Sequence, residues 1–304
     1  MKVYTPSYYT HFHCKKGDCK NTCCANWAVE VDENSLKKYD KLDTPLGVRI
    51  KNELAGGGGE CHFKLTSEGR CPFLCAEGLC EIMLELGEEN APEICRLHPR
   101  FKNVLSDRVE LCLGASCEEA ARIITDYKDK PTLILTKGES ECLTDFEKEL
   151  IEKRDLMSSF VYTFRGTGEE LLDALFPSLV PHRAATFAAA YEVLGGLAYI
   201  DGGFRDSVLA LAGRSTPLNN MLTDEQRAIA AYLILRHITP AVDDEELLLR
   251  SHLTLFALRL IFSLLEENRY TPCEALRLFS QEIEYCPDNM EELFSAIEFE
   301  LAFL

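Results

Sequence analysis

The sequence predicts a mainly α-helical protein in which a cysteine-rich, metal-binding N-terminal domain with small β hairpins packs on a C-terminal helical domain. Two observations carry this prediction. Eleven of the fourteen cysteines precede residue 118, whereas apolar residues recur at three- and four-residue spacing through the second half of the chain. We therefore expect a metal domain at 1–125 and a helical domain at 126–304.

The helical half is predicted from this apolar spacing, and two of its helices have well-marked starts. Thr223-Asp-Glu-Gln226 and Thr271-Pro-Cys-Glu274 are capping boxes, in which the first and fourth residues satisfy each other's backbone N–H groups. The segment 244–267 is apolar around most of its circumference and is predicted to be the central helix. The predicted helices are 146–160, 168–176, 183–200, 206–213, 224–238, 244–267, 273–285 and 290–303.

The cysteine-rich part shows short, mixed signals in place of long periodic segments. Loops are expected to dominate it, with regular structure in four places. These are a helix capped by Asp32 and running through Leu42, a strand at 61–66, a brief helix at 79–86 and a hairpin formed by 101–105 and 108–113.

Charge and hydropathy restrict the class of protein. Acidic residues exceed basic ones by 50 − 32 = 18, and no basic cluster interrupts this background, which argues against nucleic-acid partners. The excess of acidic residues either keeps the protein soluble or attracts a lysine-bearing protein substrate, and net charge alone does not distinguish these two interpretations. The N-terminus lacks a signal-peptide pattern and no run of roughly 18 apolar residues occurs, so no membrane partner and a cytoplasmic location are expected.

A reducing compartment changes how clustered cysteines are interpreted, because thiols there serve as metal ligands or catalysts and rarely form structural disulfides. Thiolates select zinc or iron–sulfur clusters. The array Cys14-x4-Cys19-x3-Cys23-Cys24 contains no Cys-x2-Cys pair. Its longer gaps favour an iron–sulfur centre, with zinc as the alternative, and they do not match the Cys-x3-Cys-x2-Cys triad of common radical S-adenosylmethionine enzymes.

Further thiols follow in Cys71-x3-Cys75-x4-Cys80, Cys95 and Cys112-x4-Cys117. These are more than one four-ligand centre uses, so some belong to a second centre or are simply buried as small apolar side chains. Burial is the simpler interpretation for Cys61, Cys75, Cys112, Cys142 and Cys273.

Three other side chains are candidates for cofactor binding. Trp27, the only tryptophan, either packs beside the vicinal cysteines or stacks on an adenine or sulfonium group. Arg96 and Arg100 neutralise a negatively charged cluster, hold a cofactor carboxylate by bidentate contact, or form ordinary salt bridges. His98 is a ligand, a proton carrier or a local hydrogen-bonding residue.

The cysteine arrays also form a recognisable set of motifs. They are Phe12-His-Cys14-x4-Cys19-x3-Cys23-Cys24-x2-Trp27, Cys71-Pro-Phe-Leu-x5-Cys80, Cys95-x3-Pro99-Arg100 and Cys117-Glu-Glu-Ala-Ala-Arg122. Tyr232-Leu-Ile-Leu-Arg236 and the segment 279–289, with its Ser-x-Glu-Ile-Glu sequence, continue the likeness near the other end. In these motifs the chain resembles the flagellin lysine N-methylases and, more widely, zinc- or iron-chelating cysteine-domain proteins.

The resemblance implies a protein-lysine N-methyltransferase that acts on flagellin, with S-adenosylmethionine as the methyl donor and an iron–sulfur cluster of the 4Fe–4S type. The alternative is a non-catalytic zinc- or iron-binding adaptor that senses redox state. The family's cysteine positions correspond here to Cys14, Cys19, Cys23, Cys24, Cys71, Cys80, Cys95 and Cys117.

The chain departs from the family pattern in the C-terminal segment. Gln281, Tyr285 and Cys286 stand where the family tends to have arginine, histidine and serine. Glu282 and Glu284, in the same segment, are expected on a solvated helix face, where they would raise the pKa of a paired lysine and so have no catalytic role.

Overall fold

The computed structural model describes residues 1–57, 61–139, 142–212, 214 and 216–302. Its contacts divide the chain into two compact units, a larger one formed by Met1–Phe12 and Phe101–Leu304 and a smaller one formed by His13–Arg100. This division differs from the expected boundary near residue 125. Residues 101–125 belong to the larger unit because a strand at 108–113 pairs with the N-terminal strand of the chain.

The prediction of a mainly helical protein with small sheets is confirmed, and the predicted helices of the second half correspond closely to observed ones. The main correction in that half is 183–200, where the helix ends at Val193; residues 213 and 303 of two predicted helices lie outside the described residues. The α-helices are α1 Glu33–Tyr39, α2 Pro45–Asn52, α3 Glu81–Leu86, α4 Glu93–Leu97, α5 Glu118–Asp126, α6 Asp145–Thr163, α7 Gly168–Leu175, α8 Arg183–Val193, α9 Gly202–Leu211, α10 Asp224–His237, α11 Asp244–Glu266, α12 Pro272–Phe279 and α13 Pro287–Leu301.

Local sequence explains where several of these helices begin. Thr223 and Thr271 accept hydrogen bonds from the backbone N–H groups of Gln226 and Glu274, as both predicted capping boxes require. Asp32 caps α1 through Ser35 N–H at 3.0 Å, which confirms the predicted start of that helix. Helix α2 was not predicted, although Thr44 caps it and Pro45 occupies its first turn.

The strands form a four-stranded and a two-stranded sheet. In the larger sheet the order is β4-β5-β1-β6, in which β1 runs parallel to β5 and antiparallel to β6. The predicted hairpin at 101–113 is confirmed as β4 and β5, whereas β1 and β6 were not predicted. The strands are β1 Lys2–Pro6, β2 Leu54–Ala55, β3 His62–Phe63, β4 Arg100–Val104, β5 Arg108–Leu113 and β6 Leu133–Lys137.

The core of the larger unit surrounds α11, as the leucine-rich sequence predicted. Residues from His252 to Leu264 are buried without interruption, and most of the other core side chains come from the helices α5 to α10, α12 and α13. Within the described residues, α11 is the single helix long and apolar enough to span a membrane, but 72% of its most apolar stretch is buried inside the protein. Such burial is what a central core helix requires.

A buried ion pair joins the sheet to the helices. Glu110, on β5, is fully buried and accepts hydrogen bonds from Arg154 of α6 at 2.7 and 2.9 Å. Arg108, two residues away on the same face of β5, donates to the same carboxylate at 2.8 Å. Arg154 also donates to the Thr239 hydroxyl at 3.1 Å. One carboxylate is therefore shared by two arginines that have little access to water.

Replacing Glu110 tests how far the larger unit depends on this pair. Glu110→Ala should lower the free energy of unfolding by about 3–5 kcal/mol, because it leaves two guanidinium groups buried without their shared partner. Urea unfolding followed by far-UV circular dichroism measures the change. The matched control is Glu149→Ala on α6, whose carboxylate pairs with exposed Lys153; a loss as large in the control would refute the dependence on burial.

Candidate metal centre

The smaller unit places several of the predicted ligands around a compact apolar core. Val29, Ile50, Phe63 and Phe73 are among its buried side chains, and Cys71 is buried with them. The half-buried side chains of Cys24, Trp27, Cys80 and Cys95 pack against this core. Thiols that are distant in sequence therefore share one apolar surface.

Two short backbone pairings bring the first of these thiols together. Cys71 N–H donates to the Cys24 carbonyl at 2.8 Å, and Asn26 N–H donates to the Gly69 carbonyl at 2.7 Å. Asn26 and Gly69 both have positive φ, at 66° and 72°, so the chain reverses sharply beside each cysteine. This antiparallel contact sets the register between the vicinal pair Cys23-Cys24 and Cys71.

A tight turn then returns the chain from Cys71 to Cys80. Leu74 and Cys80 form an isolated antiparallel bridge, and Glu81 N–H donates to the Phe73 carbonyl at 2.8 Å. The loop containing Gly17 approaches this turn so closely that a Cβ on Gly17 would lie 2.4 Å from the Glu77 carbonyl oxygen. Only glycine fits there, and the segment between Cys14 and Cys19 is thereby held against the turn.

Four thiols, Cys24, Cys71, Cys80 and Cys95, influence one another electrostatically, and we refer to them as the thiol set. Each of the other three thiols raises the pKa of Cys95. Cys24 raises the pKa values of all three of its partners. Burial raises the pKa of Cys71 to about 11, and burial also raises the pKa values of Cys80 and Cys95. Without a cation to offset burial and mutual repulsion, these three remain neutral thiols.

Cys24 differs from the rest of the thiol set. A hydrogen bond from the vicinal Cys23 thiol lowers its pKa to about 7, and this effect exceeds the opposing effect of burial. Thr22 and Arg70 lower it further. Cys24 is therefore the member of the set that most readily supplies a thiolate, which is the form that binds metals.

The thiol set suits a soft metal in its donor chemistry, since four sulfur ligands match zinc or an iron–sulfur cluster. Within the described ranges, however, no three Cys, His, Asp or Glu side chains are close enough together to hold a metal ion. The ligand shell is thus assembled as neighbours on one core but is not closed. The metal centre stays a prediction, supported by the kind and number of donors.

The other four predicted ligands have different surroundings. Cys14 and Cys23 are exposed and Cys19 is half-buried, all in the smaller unit. Cys14 Sγ accepts a hydrogen bond from Lys16 N–H at 3.4 Å. Cys117 lies in the larger unit, directly before α5. The structure therefore brings Cys24, Cys71, Cys80 and Cys95 into one electrostatic group, to which Cys23 is linked by its hydrogen bond with Cys24.

Two cysteines that the resemblance leaves aside have structural contacts. Cys75 Sγ accepts a hydrogen bond from Leu79 N–H at 3.3 Å inside the turn. Cys112 is fully buried in the larger unit, where burial strongly raises its pKa. Both observations agree with their interpretation as buried or locally bonded side chains.

The predicted cofactor-binding residues make local contacts in the smaller unit. The Trp27 indole N–H donates to the Cys23 carbonyl at 2.7 Å, which ties the indole to the vicinal cysteines. Arg96 Nε donates to the Ala91 carbonyl at 3.0 Å, and Arg100 begins β4. Burial, together with the nearby Arg100 charge, lowers the pKa of His98 to about 4, so its imidazole is neutral at pH 7.

Sequence reasoning missed Tyr39, the last residue of α1. Its ring is buried in the small core and its hydroxyl donates to the Asn90 carbonyl at 2.7 Å. Burial and the proximity of Cys95 and Cys80 raise its pKa. Tyr39 therefore belongs to the same buried core as the thiol set. The only signal for it was its spacing of three residues from Leu36 in the predicted helix.

The C-terminal Ser-x-Glu-Ile-Glu segment is buried, so the expectation of a solvated face is wrong. Ser280–Glu284 forms a single π-helical turn, a distortion that often accompanies functional sites. Glu284 accepts hydrogen bonds from Tyr232 at 2.8 Å and Ser280 at 2.5 Å. His237 Nε2 lies 2.9 Å from its other oxygen. Burial alone would raise the pKa of Glu284. The hydrogen bond and charge of His237, with smaller contributions from Arg236 and Ser280, outweigh burial and lower this pKa to about 2.

This network also reaches the loop before Cys117. The Tyr232 hydroxyl that donates to Glu284 accepts a hydrogen bond from Ala115 N–H at 3.1 Å. In contrast, Glu282 accepts from Ile200 N–H at 2.6 Å, and burial raises its pKa. Two carboxylates on one turn are therefore shifted in opposite directions.

The positions that depart from the family pattern contact other parts of the same chain. Gln281 accepts a hydrogen bond from Arg277 at 2.6 Å. The Tyr285 ring lies 5.4 Å from the Arg236 guanidinium, whose other aromatic neighbour is Phe101 at 4.1 Å. Cys286 directly precedes α13.

Three curated proteins are similar to this chain. The flagellar biosynthetic protein FliU of Salmonella muenchen is 30% identical over 133 residues, which are 41% of this chain and 79% of FliU. The lysine-N-methylases of Salmonella choleraesuis and Salmonella typhimurium are each 29% identical over 136 residues, which are 41% of this chain and 33% of the relative. No protein-family model and no solved structure matches the chain.

Fold and thiol chemistry together define a mainly helical protein with a cysteine-rich smaller unit. The similarity to FliU covers most of that protein, and the lysine-N-methylases match over a segment of the same size. The chain belongs to the family of the flagellar FliU and lysine-N-methylase proteins, which confirms the family that the cysteine motifs predicted. The match spans about a third of the length of the lysine-N-methylases.

The shifted pKa of Glu284 predicts a specific acid sensitivity. Its folded pKa of about 2 lies below the ordinary value of about 4.3 in an unfolded chain. Its contribution to stability is therefore present above about pH 4.3 and lost as the pH falls through the folded value, and it amounts to roughly 3 kcal/mol. Glu284→Gln should be less stable than the unmodified protein at pH 7, with the difference shrinking towards pH 2 in urea unfolding.

Glu282→Gln is the matched control on the same turn. Because burial raises the pKa of Glu282, replacing it should become more favourable, relative to the unmodified protein, as the pH rises through its folded pKa. If both variants showed the same pH dependence, the opposite shifts of the two carboxylates would be refuted.

Proposed function

We propose that this protein is a protein-lysine N-methyltransferase that acts on flagellin with a cysteine-ligated iron–sulfur cluster and S-adenosylmethionine. The observation that carries the proposal is the family membership, since two relatives are named lysine-N-methylases and a third is named a flagellar biosynthetic protein. The transfer breaks a carbon–sulfur bond of the donor, forms a carbon–nitrogen bond to the lysine ε-amine and releases one proton from that amine.

The chemistry sets a requirement on the site. A lysine amine has a pKa of about 10.4 in water, and only its neutral form attacks the methyl group. Desolvation or a neighbouring base must lower that pKa. The strongly acidic chain attracts a lysine-rich protein surface to the enzyme, but its carboxylates would hold the amine charged, so approach and deprotonation need different surroundings.

In this proposal the thiol set provides the core of the metal centre. Cys24, Cys71, Cys80 and Cys95 would hold the metal as thiolates, a state that the lowered pKa of Cys24 already favours and that burial disfavours for the other three. A bound iron–sulfur cluster would supply redox and Lewis-acid chemistry. Because free thiols of this kind persist only under reducing conditions, we place the protein in the cytoplasm.

The second candidate is a non-catalytic zinc- or iron-binding adaptor. It is favoured by the partial length of the match to the lysine-N-methylases, which leaves two thirds of those proteins without a counterpart in the alignment. An adaptor would bind metal through the same thiol set but would not transfer methyl groups. Metal content and methyl transfer therefore have to be measured separately.

Metal content tests the thiol set. After anaerobic purification, elemental analysis and visible absorption should show bound iron and sulfide, or stoichiometric zinc if the alternative metal is present. Cys24→Ala and Cys95→Ala should each lower metal affinity by about tenfold or more, since both remove a proposed ligand.

Cys142→Ala is the control for these variants, because Cys142 is an exposed thiol of the larger unit. It should keep the full metal content. Unchanged metal in both thiol-set variants, with circular dichroism showing that each is folded, would refute the assignment of ligands.

Methyl transfer tests the activity. The anaerobically purified protein, incubated with cognate flagellin and S-adenosylmethionine, should add the mass of one methyl group per modified lysine, as measured by mass spectrometry. The same flagellin with its lysines acetylated should gain no mass. Full metal content without any methylation would support the adaptor and contradict the enzyme.

A further inference from the structure

The larger unit contains a pocket of about 330 Å³ that the proposed function leaves without a role. It opens between β1, the segment leading into β6, and the helices α6 and α10. Its volume is at the lower end of the range of small-molecule sites, roughly 300–1,000 Å³. Its apolar lining residues, which we call the floor, include Ile124, Leu133 and Ile234.

The charged lining residues, which we call the wall, carry a net positive charge. Arg108, Arg154 and Lys130 line the pocket, and Asp155 is the one acidic lining residue. Behind the wall, the buried Glu110 carboxylate is shared by both arginines. Three positive charges therefore meet two negative ones, which leaves one positive charge beside the pocket in a chain whose net charge is −18.

The two arginines are held rigidly in place. Arg154 donates to Glu110, Thr239 and Asp155, and the Arg108 guanidinium lies 4.0 Å from the centre of the Tyr4 ring. Tyr4 also lines the pocket. A cationic wall that is fixed before a ligand arrives loses little conformational entropy on binding.

We infer that this pocket binds a small organic anion, a carboxylate or phosphate ester with an apolar or planar body, through the charge of Arg108, Arg154 and Lys130. The anion would lie against the cationic wall and the body on the apolar floor. The net positive charge disfavours a lysine ammonium group, so we do not assign this pocket to the methyl acceptor. The inference does not rest on the proposed methyl transfer.

Direct binding measurements on the full chain test this site. Isothermal titration calorimetry should detect adenosine 5′-monophosphate or 4-hydroxyphenylacetate with a dissociation constant of about 1 mM or tighter, and the two probes distinguish a phosphate ester from a carboxylate. Adenosine, which lacks the anion, should bind at least about fivefold more weakly than its monophosphate.

Two variants and one control locate the binding. Lys130→Gln should lower the affinity for the anion by up to about fivefold, as expected for an exposed charge. Ser158→Phe should abolish binding, because the phenyl ring would fill the pocket that Ser158 lines. Lys128→Gln, two residues away and outside the pocket lining, removes a lysine that pairs with Glu225 at 2.6 Å and should leave affinity unchanged.

The results divide clearly. The site would be established if either organic anion binds, if folded Ser158→Phe loses that binding, and if Lys130→Gln weakens it while Lys128→Gln does not. Absence of binding by both probes, equal weakening by the two lysine variants, or stronger binding of S-adenosylmethionine than of either anion would overturn it. Each of these outcomes can occur whether or not the protein methylates flagellin.

Discussion

The fold of the larger unit depends on the pairing of one buried carboxylate, that of Glu110, with arginine side chains. Glu110 lies on a strand whose neighbouring positions bring Arg108 and Cys112 to the same buried face, so polar side chains occupy positions where apolar ones would ordinarily lie. Burying Glu110 alone would be highly unfavourable. Arg154 of α6 removes that penalty and thereby fixes the helix against the sheet. Arg154 and Arg108, both partners of Glu110, also line the pocket, so fold stability and the proposed anion site share residues.

The smaller unit is governed by a different constraint, which is the need to bring dispersed thiols together without long elements of secondary structure. Short helices and strands are supplemented there by close backbone contacts, above all at Gly17, Asn26 and Gly69. The thiols then repel one another as they ionise, and burial adds to the cost. A soft cation relieves both penalties. In the proposed metal centre, ionisation of these thiols would therefore accompany metal binding.

Periodic elements could be predicted from sequence, whereas long-range pairings could not. The capping boxes at Thr223 and Thr271 and the leucines of α11 report local preferences, and all three helices form as predicted. The partnership of β1 with β5 joins residues about a hundred positions apart, and nothing in the short β1 sequence marks its partner. The cysteine spacings likewise named the ligand candidates, but they could not show that Cys24, Cys71, Cys80 and Cys95 would share one core.

The Ser-x-Glu-Ile-Glu segment shows why a family motif need not mark a residue that touches substrate. Glu284 is held by Tyr232, Ser280 and His237, and through Tyr232 it supports the loop before Cys117. Gln281 pairs with Arg277, one turn earlier. These contacts lie within the chain, so the departures from the family pattern alter the packing around a buried carboxylate. An effect of this segment on activity would therefore reach the Cys117 loop through the network, whose integrity is measurable as stability at neutral pH.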